Sequence, residues 1–360
     1  VKITAVVGAR PNFVKIAPIL GEASGYRGLT MRLVHTGQHY DVAMSQAFFA
    51  HLEIPAPDVN LGVGAETEVG QLAEIMRRLM PVLADERPDA VLVVGDVTST
   101  LAAALTAVKL GIPVAHVEAG LRSFDRTMPE EINRILTDAV ARWLFTTEPA
   151  ANENLTREGV GPERVHFVGN VMIDTLYRYR DQAQRSPILE RLGVAPGGYA
   201  ALTLHRPSNV DTPRALARIL DAIRRVQAEI PVVFPMHPRT RRRLADLEHA
   251  EWAGMHVTDP LPYLDFVQLM ANARCVLTDS GGIQEETTAL GVPCLTLRTN
   301  TERPVTVTKG TNRVVGVEPA EIYAAWTQVR DGRWPAGEVP ELWDGKAAGR
   351  IVRVLLETRG

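Results

Sequence analysis

Residues 273–286 read Ala273-Arg274-Cys275-Val276-Leu277-Thr278-Asp279-Ser280-Gly281-Gly282-Ile283-Gln284-Glu285-Glu286. The first five residues predict a short buried strand. Ile283 to Leu290 predicts a helix that Gly291 and Pro293 end. A strand that enters a helix through Ser-Gly-Gly aims free backbone N–H groups and the positive end of a helix dipole at one point, which attracts an anion. The glycines admit a ligand close to the backbone. Glu285 and Glu286 follow one helical turn later, placed for a sugar hydroxyl beside a phosphate, so a diphosphate plus ribose is the ligand that suits the stretch. A tight turn followed by ordinary surface acids accounts for the same residues, and Gly-rich strand-to-helix turns are common.

The same strand, turn and helix recur along the chain. Ile3 to Val7 predicts a parallel strand buried on both faces. It passes through Gly8-Ala9-Arg10-Pro11-Asn12 into a helix from Phe13. Lys15 lies in the first turn of that helix, where a cation opposes the dipole; an anionic ligand would explain it, and a solvated lysine is the plainer account. Ala90 to Val94 ends in Gly95-Asp96, and Val114 to Val117 ends in Glu118. Two carboxylates therefore stand at carboxyl ends of strands, where open α/β sheets hold their ligands. Glu66 to Leu83 has helical periodicity. Pro129 opens a helix in which Glu130 and Arg134, four residues apart, share a face. His35, His39 and Asp41 make a poor metal site, because strand-then-loop spacing does not bring three side chains together.

After Gly169-Asn170 and the polar stretch 178–198 the rhythm restarts. Tyr199 to Leu204 ends in His205-Arg206-Pro207-Ser208-Asn209. Pro231 to Pro235 ends in Met236-His237-Pro238, and Cys294 to Leu297 ends in Arg298-Thr299-Asn300-Thr301-Glu302-Arg303. The fold this predicts is α/β: two Rossmann-like doubly wound parallel-sheet domains facing across a cleft. Residues 1–172 form the first domain, 173–345 the second, and 346–360 a C-terminal helix long enough to pack back on the first.

Composition narrows the function. In 360 residues, 46% are hydrophobic and 22% charged, as in a globular enzyme, and a net charge of −3 argues for no nucleic acid and no membrane surface as partner. No apolar run spans a bilayer, and the first residues lack a signal segment. Cys275 and Cys294 sit in apolar runs and read as reduced core residues of a cytoplasmic protein. No metal spacing, G-x-G-x-x-G turn or P-loop is present, so no metal and no cofactor is expected.

Taken together, GARPNFVK at 8–15, GD at 95–96, HVEAGLR at 116–122, PEEINR at 129–134, HR at 205–206, HP at 237–238, TDSGGIQEE at 278–286 and TERP at 301–304 resemble the non-hydrolysing UDP-N-acetylglucosamine 2-epimerases. The resemblance runs from about residue 3 to about residue 316. It implies the glycosyltransferase-B architecture, a UDP-sugar substrate and a homodimer. By position it implies that Ser280, Gly281 and Gly282 hold the diphosphate and Glu286 the ribose. Phe266 and the backbone near Leu261 would hold the uracil. Arg10, Lys15, His205, His237 and Arg303 would serve the phosphates or the sugar. Asp96, Glu118 and Glu130 would be the acid–base carboxylates, with Arg134 orienting or pairing with Glu130.

The resemblance also implies the chemistry. UDP leaves carbon 1 while a proton leaves carbon 2, giving a glycal; UDP then adds back and a proton arrives on the other face. A departing diphosphate needs fixed positive potential, and proton transfer on two faces needs more than one acid–base group. The sequence departs from the common pattern at three places. Gln38-His39 is followed by Tyr40-Asp41-Val42, which departs from the allosteric site of well-studied bacterial members. Ser208 and Val305 stand where many members have glutamate. Four alternatives remain: a glycosyltransferase on the same architecture, a hydrolysing epimerase, an epimerase of another UDP-2-acetamido sugar, and a non-catalytic UDP-sugar-binding protein.

Overall fold

The strand β1 (Lys2–Val7) is buried along almost its whole length and lies parallel to β2 (Thr30–His35) on one side and β4 (Ala90–Val94) on the other. The computed structural model describes residues 1–37, 52–64, 67–244 and 255–357. Within these residues the chain divides into two units, Val1–Thr175 with Glu341–Gly360, and Leu176–Pro340. The division falls inside the helix Val171–Ala183. No described helix is long and apolar enough to cross a membrane.

In the first unit β3 (Val59–Asn60), β5 (Val114–Ala119), β6 (Trp143–Thr146) and β7 (Val165–Phe167) complete an all-parallel sheet of order β3-β2-β1-β4-β5-β6-β7. The order reverses between β1 and β4, the switch point at which doubly wound sheets bind ligands. Strands here read as continuous apolar runs because both faces are covered. The helices Glu68–Glu86 and Thr98–Lys109 lay Ile75, Leu79, Leu83, Ala102, Ala103 and Ala107 on Val91 and Val93. Thr67 starts the first of these helices by accepting the Gly70 N–H at 3.2 Å. The helix Arg10–Ala23 packs on β1, β2 and β4 and against the C-terminal helix Ala347–Glu357. Asp174 accepts the first N–H groups of that last helix, from Ala347 at 3.1 Å and Ala348 at 2.7 Å. Burial raises the Asp174 carboxyl to about 6, against the pull of those two N–H groups.

In the second unit β8 (Ala200–Thr203), β9 (Val232–Pro235), β10 (His256–Thr258), β11 (Cys275–Thr278), β12 (Cys294–Thr296) and β13 (Asn312–Val314) form a parallel sheet of order β10-β9-β8-β11-β12-β13. Its switch point lies between β8 and β11, whose ends are joined by a hydrogen bond between the Thr203 and Thr278 hydroxyls at 2.7 Å. The helix Pro213–Gln227 buries Leu216, Ile219, Leu220, Ile223 and Val226 on one stripe, the spacing that a helix on a sheet requires. Both sheets are Rossmann-like and doubly wound, as the strand–turn–helix rhythm predicts. The stretch 178–198 is more ordered than its polar, proline-rich composition suggests: it holds the end of Val171–Ala183 and the short helix Ile188–Leu192.

Candidate active site

At the switch point of the first sheet, the turn after β1 is built by Asn12. Its side-chain oxygen accepts the N–H groups of Gly8 (3.2 Å) and Ala9 (3.0 Å), and its amide donates to the Val94 carbonyl at 2.9 Å. One side chain thus fixes the entry to the helix Arg10–Ala23 and ties it to the end of β4. Arg10 begins this helix; its side chain is outside the described residues. Lys15 is buried and forms a close ion pair with Glu118. The sequence left two accounts of a cation at this helix start, an anionic ligand or a solvated lysine, and the burial of Lys15 removes the second. Here the carboxylate of Glu118 supplies the negative charge. Gly95 makes room for the pair: it has φ of +68°, and a Cβ on it would stand 2.9 Å from the Lys15 ammonium.

Glu118 has the most unusual backbone of the predicted residues. Its φ is +73°, the left-handed region. The β5–β6 register passes from Val117 opposite Phe145 to Ala119 opposite Thr146, so Glu118 is the extra residue of a bulge. A non-glycine residue held there costs about 1–3 kcal/mol and persists where the surroundings enforce it, commonly at functional sites.

Asp96 follows β4. Its carboxylate is partly exposed and receives Arg134 Nη2 at 2.5 Å, and its carbonyl accepts from Asn133 at 2.9 Å. The other arm of Arg134 meets Glu131 at 2.5 Å. Glu131 is buried and also accepts the N–H and hydroxyl of Ser123 and the N–H of Phe124, each at 2.9 Å. The sequence has Arg134 orienting or pairing with Glu130; the structure shows it bound to Asp96 and Glu131. Glu130 is half-buried in the first turn of the helix Pro129–Val140.

Two further residues join these strand ends, to neither of which the sequence assigned a role. His116 on β5 is fully buried, with Nδ1 2.6 Å from Asp138 and Nε2 2.8 Å from the Gly95 carbonyl. Burial pushes the Asp138 carboxyl up, but His116 and Arg122 outweigh it and hold Asp138 below the usual range.

In the second unit, β8 delivers His205 and β11 delivers Asp279. Asp279 is fully buried and accepts the backbone N–H groups of His205 (3.0 Å) and Arg206 (2.9 Å) and the Asn209 amide (3.2 Å). Its other partner is His205 Nδ1 at 3.0 Å. Burial disfavours the carboxylate, but these donors prevail and keep Asp279 below its ordinary range. An ionised Asp279 places a proton on His205 Nδ1, leaving Nε2 of this partly exposed ring to meet a ligand. His237 lies beside it, with ring centroids 5.8 Å apart.

Ser280 precedes the helix Gly281–Leu290, and among the described residues its side chain makes no capping hydrogen bond. The N–H groups of the first turn are therefore the natural partners of an anion. Gly281 is required by proximity: a Cβ there would collide with the Arg303 guanidinium and lie 2.7 Å from Glu302. Arg303 meets Glu302 at 2.5 Å and Glu285 at 3.0 Å, and Glu302 also receives Arg298 at 2.8 Å. With Arg206 3.5 Å from Glu302, three guanidiniums surround two carboxylates beside a helix N-terminus. The sequence singled out Arg303 and Glu285 among these charges; with Arg298 and Glu302 they become a network once β11 and β12 are paired.

Glu286, on the same helix, is buried and accepts the Tyr263 hydroxyl at 3.0 Å. Burial raises its carboxyl to about 7, Tyr263 pulls it down, and Glu285 pushes it up. Tyr263 opens the helix Tyr263–Ala271; Phe266 lies in its first turn and Leu261 just before it, both half-buried. His35 is buried against Phe13. His39 and Asp41, and the pair Gln38-His39, lie outside the described residues.

Fold and geometry define the class: an α/β protein of two doubly wound units. The strand ends carry a carboxylate cluster with a buried lysine in one unit, and an anion-attracting turn with an arginine network in the other. The family model for UDP-N-acetylglucosamine 2-epimerase matches residues 22–356. The chain is 40% identical to a UDP-N-acetylglucosamine 2-epimerase homolog of Methanococcus maripaludis, over 98% of this chain and 99% of that one. It is also 40% identical to the UDP-2,3-diacetamido-2,3-dideoxy-D-glucuronate 2-epimerase of Pseudomonas aeruginosa, over 98% and 99%. The crystal structure of Methanocaldococcus jannaschii UDP-GlcNAc 2-epimerase in complex with UDP-GlcNAc and UDP superposes with a TM-score of 0.93 at 38% identity, covering all of both chains. The chain belongs to the UDP-N-acetylglucosamine 2-epimerase family.

Proposed function

We propose that the protein is a non-hydrolysing epimerase that interconverts UDP-N-acetylglucosamine and UDP-N-acetylmannosamine. The observation that carries the reading is Glu118, a buried carboxylate in a left-handed bulge, ion-paired to Lys15 and flanked along the sheet by Asp96. Such a group is costly to keep and is suited to moving a proton.

On this reading, the C1–O bond to UDP breaks and the C2–H proton passes to a carboxylate, leaving a glycal and UDP. UDP then re-forms the C1–O bond, and a proton is returned to C2 from the opposite face. Asp96 and Glu118 are the proton-transfer pair, with Glu130 assisting and Arg134 fixing Asp96. Lys15, Arg10, His205 and Arg303, with the N-terminus of Gly281–Leu290, supply positive potential for the leaving diphosphate. Glu286 accepts from the ribose hydroxyls, and Phe266 with the backbone near Leu261 holds the uracil. By the same family resemblance the protein works as a cytoplasmic homodimer, which sedimentation at micromolar concentration tests.

The Pseudomonas relative favours a second reading in which the sugar is a UDP-2,3-diacetamido-uronate. Separate incubations with each nucleotide sugar, resolved by chromatography, decide between the two. Formation of UDP-N-acetylmannosamine to equilibrium supports the first reading. Turnover of the diacetamido-uronate alone supports the second. Accumulation of free UDP and free sugar contradicts both and indicates a hydrolase.

A further inference from the structure

His116 and Asp138 do not enter the reaction scheme, yet they bind the backbone on both sides of it. Both are buried, at 0% and 1% exposure. The Gly95 carbonyl can only accept, so His116 Nε2 carries a hydrogen and donates to it at 2.8 Å. The other nitrogen lies 2.6 Å from Asp138 Oδ1. Asp138 Oδ2 accepts the Gly120 N–H at 3.0 Å and pairs with Arg122 at 2.7 Å. Arg122 is held in turn by Glu158, with Nε at 2.8 Å and Nη2 at 2.6 Å.

The pair therefore grips the peptide joining Gly95 to Asp96 and the turn two residues after Glu118. The backbone it grips is unusual: Gly95, Glu118 and Gly120 all have positive φ, at +68°, +73° and +79°. Arg134 reaches Asp96 through its side chain, and Lys15 reaches Glu118 through its own. His116 binds the main chain of one loop and its partner Asp138 that of the other, so the pair links the two. As a device for stability alone, a buried ionisable pair is poor, because apolar residues of the same volume usually serve as well or better.

We propose that His116, held by Asp138, is a positioning residue that sets the separation of Asp96 and Glu118 for proton transfer. The inference rests on the reading of those two carboxylates as the acid–base pair. Losing the link lets each loop shift by a fraction of an ångström, and a misplacement of about 1 Å costs on the order of 100-fold in rate. His116 makes its hydrogen bonds to Asp138 and Gly95 rather than to Arg10 or Lys15, and the residues assigned to the uracil, the ribose and the helix N-terminus that meets the diphosphate belong to the other unit, so affinity for UDP changes little.

The test compares His116→Ala, His116→Gln and His116→Asn with the wild type. Glutamine retains a donor toward the Gly95 carbonyl, and asparagine retains one toward Asp138. Turnover is expressed per UDP-binding site, which counts only folded molecules. The expected result is a fall in kcat of about 100-fold for alanine. Glutamine and asparagine should each fall in between, with Kd for UDP within about twofold of wild type throughout. A merely structural histidine would lower the melting temperature and the number of UDP sites while leaving kcat per site unchanged. That outcome, or kcat per site within about threefold of wild type in the alanine variant, overturns the inference. If the alanine variant does not fold, the glutamine and asparagine variants decide it by the same criterion. Asp96→Asn and Glu118→Gln are measured alongside. Their inactivity together with an active His116→Ala refutes positioning alone, whereas their near-normal activity refutes the acid–base reading and the inference with it.

Discussion

Replacing Glu286 by glutamine should make the protein more stable above neutral pH and leave it unchanged in acid. The carboxyl of Glu286 is enclosed, and its folded-state value is about 7 against 4.5 for an unperturbed glutamate. Between those values the folded chain holds a proton that the unfolded chain has released. Stability therefore falls as pH rises from 4.5, and the whole penalty is present above about 7. At about 1.4 kcal/mol for each pH unit of the difference, the penalty is about 3 kcal/mol. Glutamine has the same shape, keeps an oxygen for the Tyr263 hydroxyl, and has no charge to bury. The gain corresponds to roughly 6–12 °C in the melting temperature of a unit of this size. The assay is thermal unfolding of both proteins at intervals from pH 4.5 to 8.5, taking the difference at each pH. The difference cancels other titrating groups, such as Asp174, that the two proteins share. A glutamine variant no more stable than wild type at pH 8, or one whose advantage does not change with pH, refutes the reasoning. If the buried carboxylate is kept for the ribose, the stabilised variant also binds UDP more weakly, which isothermal titration reads directly.

Gly281→Ala drives a methyl group into the Arg303 guanidinium. The alanine gains about 1 kcal/mol of helix propensity against roughly 1–3 kcal/mol of overpacking, so the melting temperature should move little while UDP affinity falls at least tenfold; unchanged affinity contradicts the assignment. Lys15→Met removes the cation facing buried Glu118 and should cost about 3–5 kcal/mol. Adding Glu118→Gln should restore much of that stability but none of the activity, and a strictly additive cycle in chemical unfolding contradicts the pairing.

Much of this molecule is legible because its strands are buried on both faces, which makes β1, β4, β5, β8 and β11 conspicuous apolar runs. The residues at which each run turns polar, Asp96, Glu118, His205 and Ser280, are then the residues that a doubly wound sheet places at its ligand edge. Shorter elements carry no such signal. β3 has two residues, and Pro207–Val210 and Pro304–Thr308 are single helical turns, below the length at which periodicity registers.

The contact of Arg134 with Glu131 shows a different limit. On a helix both i,i+3 and i,i+4 neighbours share a face, so spacing alone does not point to Glu131, and its hydrogen bonds to the Ser123–Phe124 loop come from outside the helix. His116 is hidden in an apolar strand, and Asp138, its partner, is 22 residues away; only the packing of the helix Pro129–Val140 on the sheet brings them together. Asp279 lies within the most prominent motif of the chain. Its function of fixing the His205 proton depends on the pairing of β8 with β11, which no local pattern reveals.

The account stands or falls on proton exchange at carbon 2. Incubating the purified protein with UDP-N-acetylglucosamine in deuterated water and following the proton spectrum measures it directly. The account predicts loss of the carbon-2 proton signal by deuterium incorporation, with UDP-N-acetylmannosamine appearing until the two sugars reach equilibrium. Epimerisation with the original hydrogen retained at carbon 2, or release of UDP with no sugar returning to it, would contradict the account.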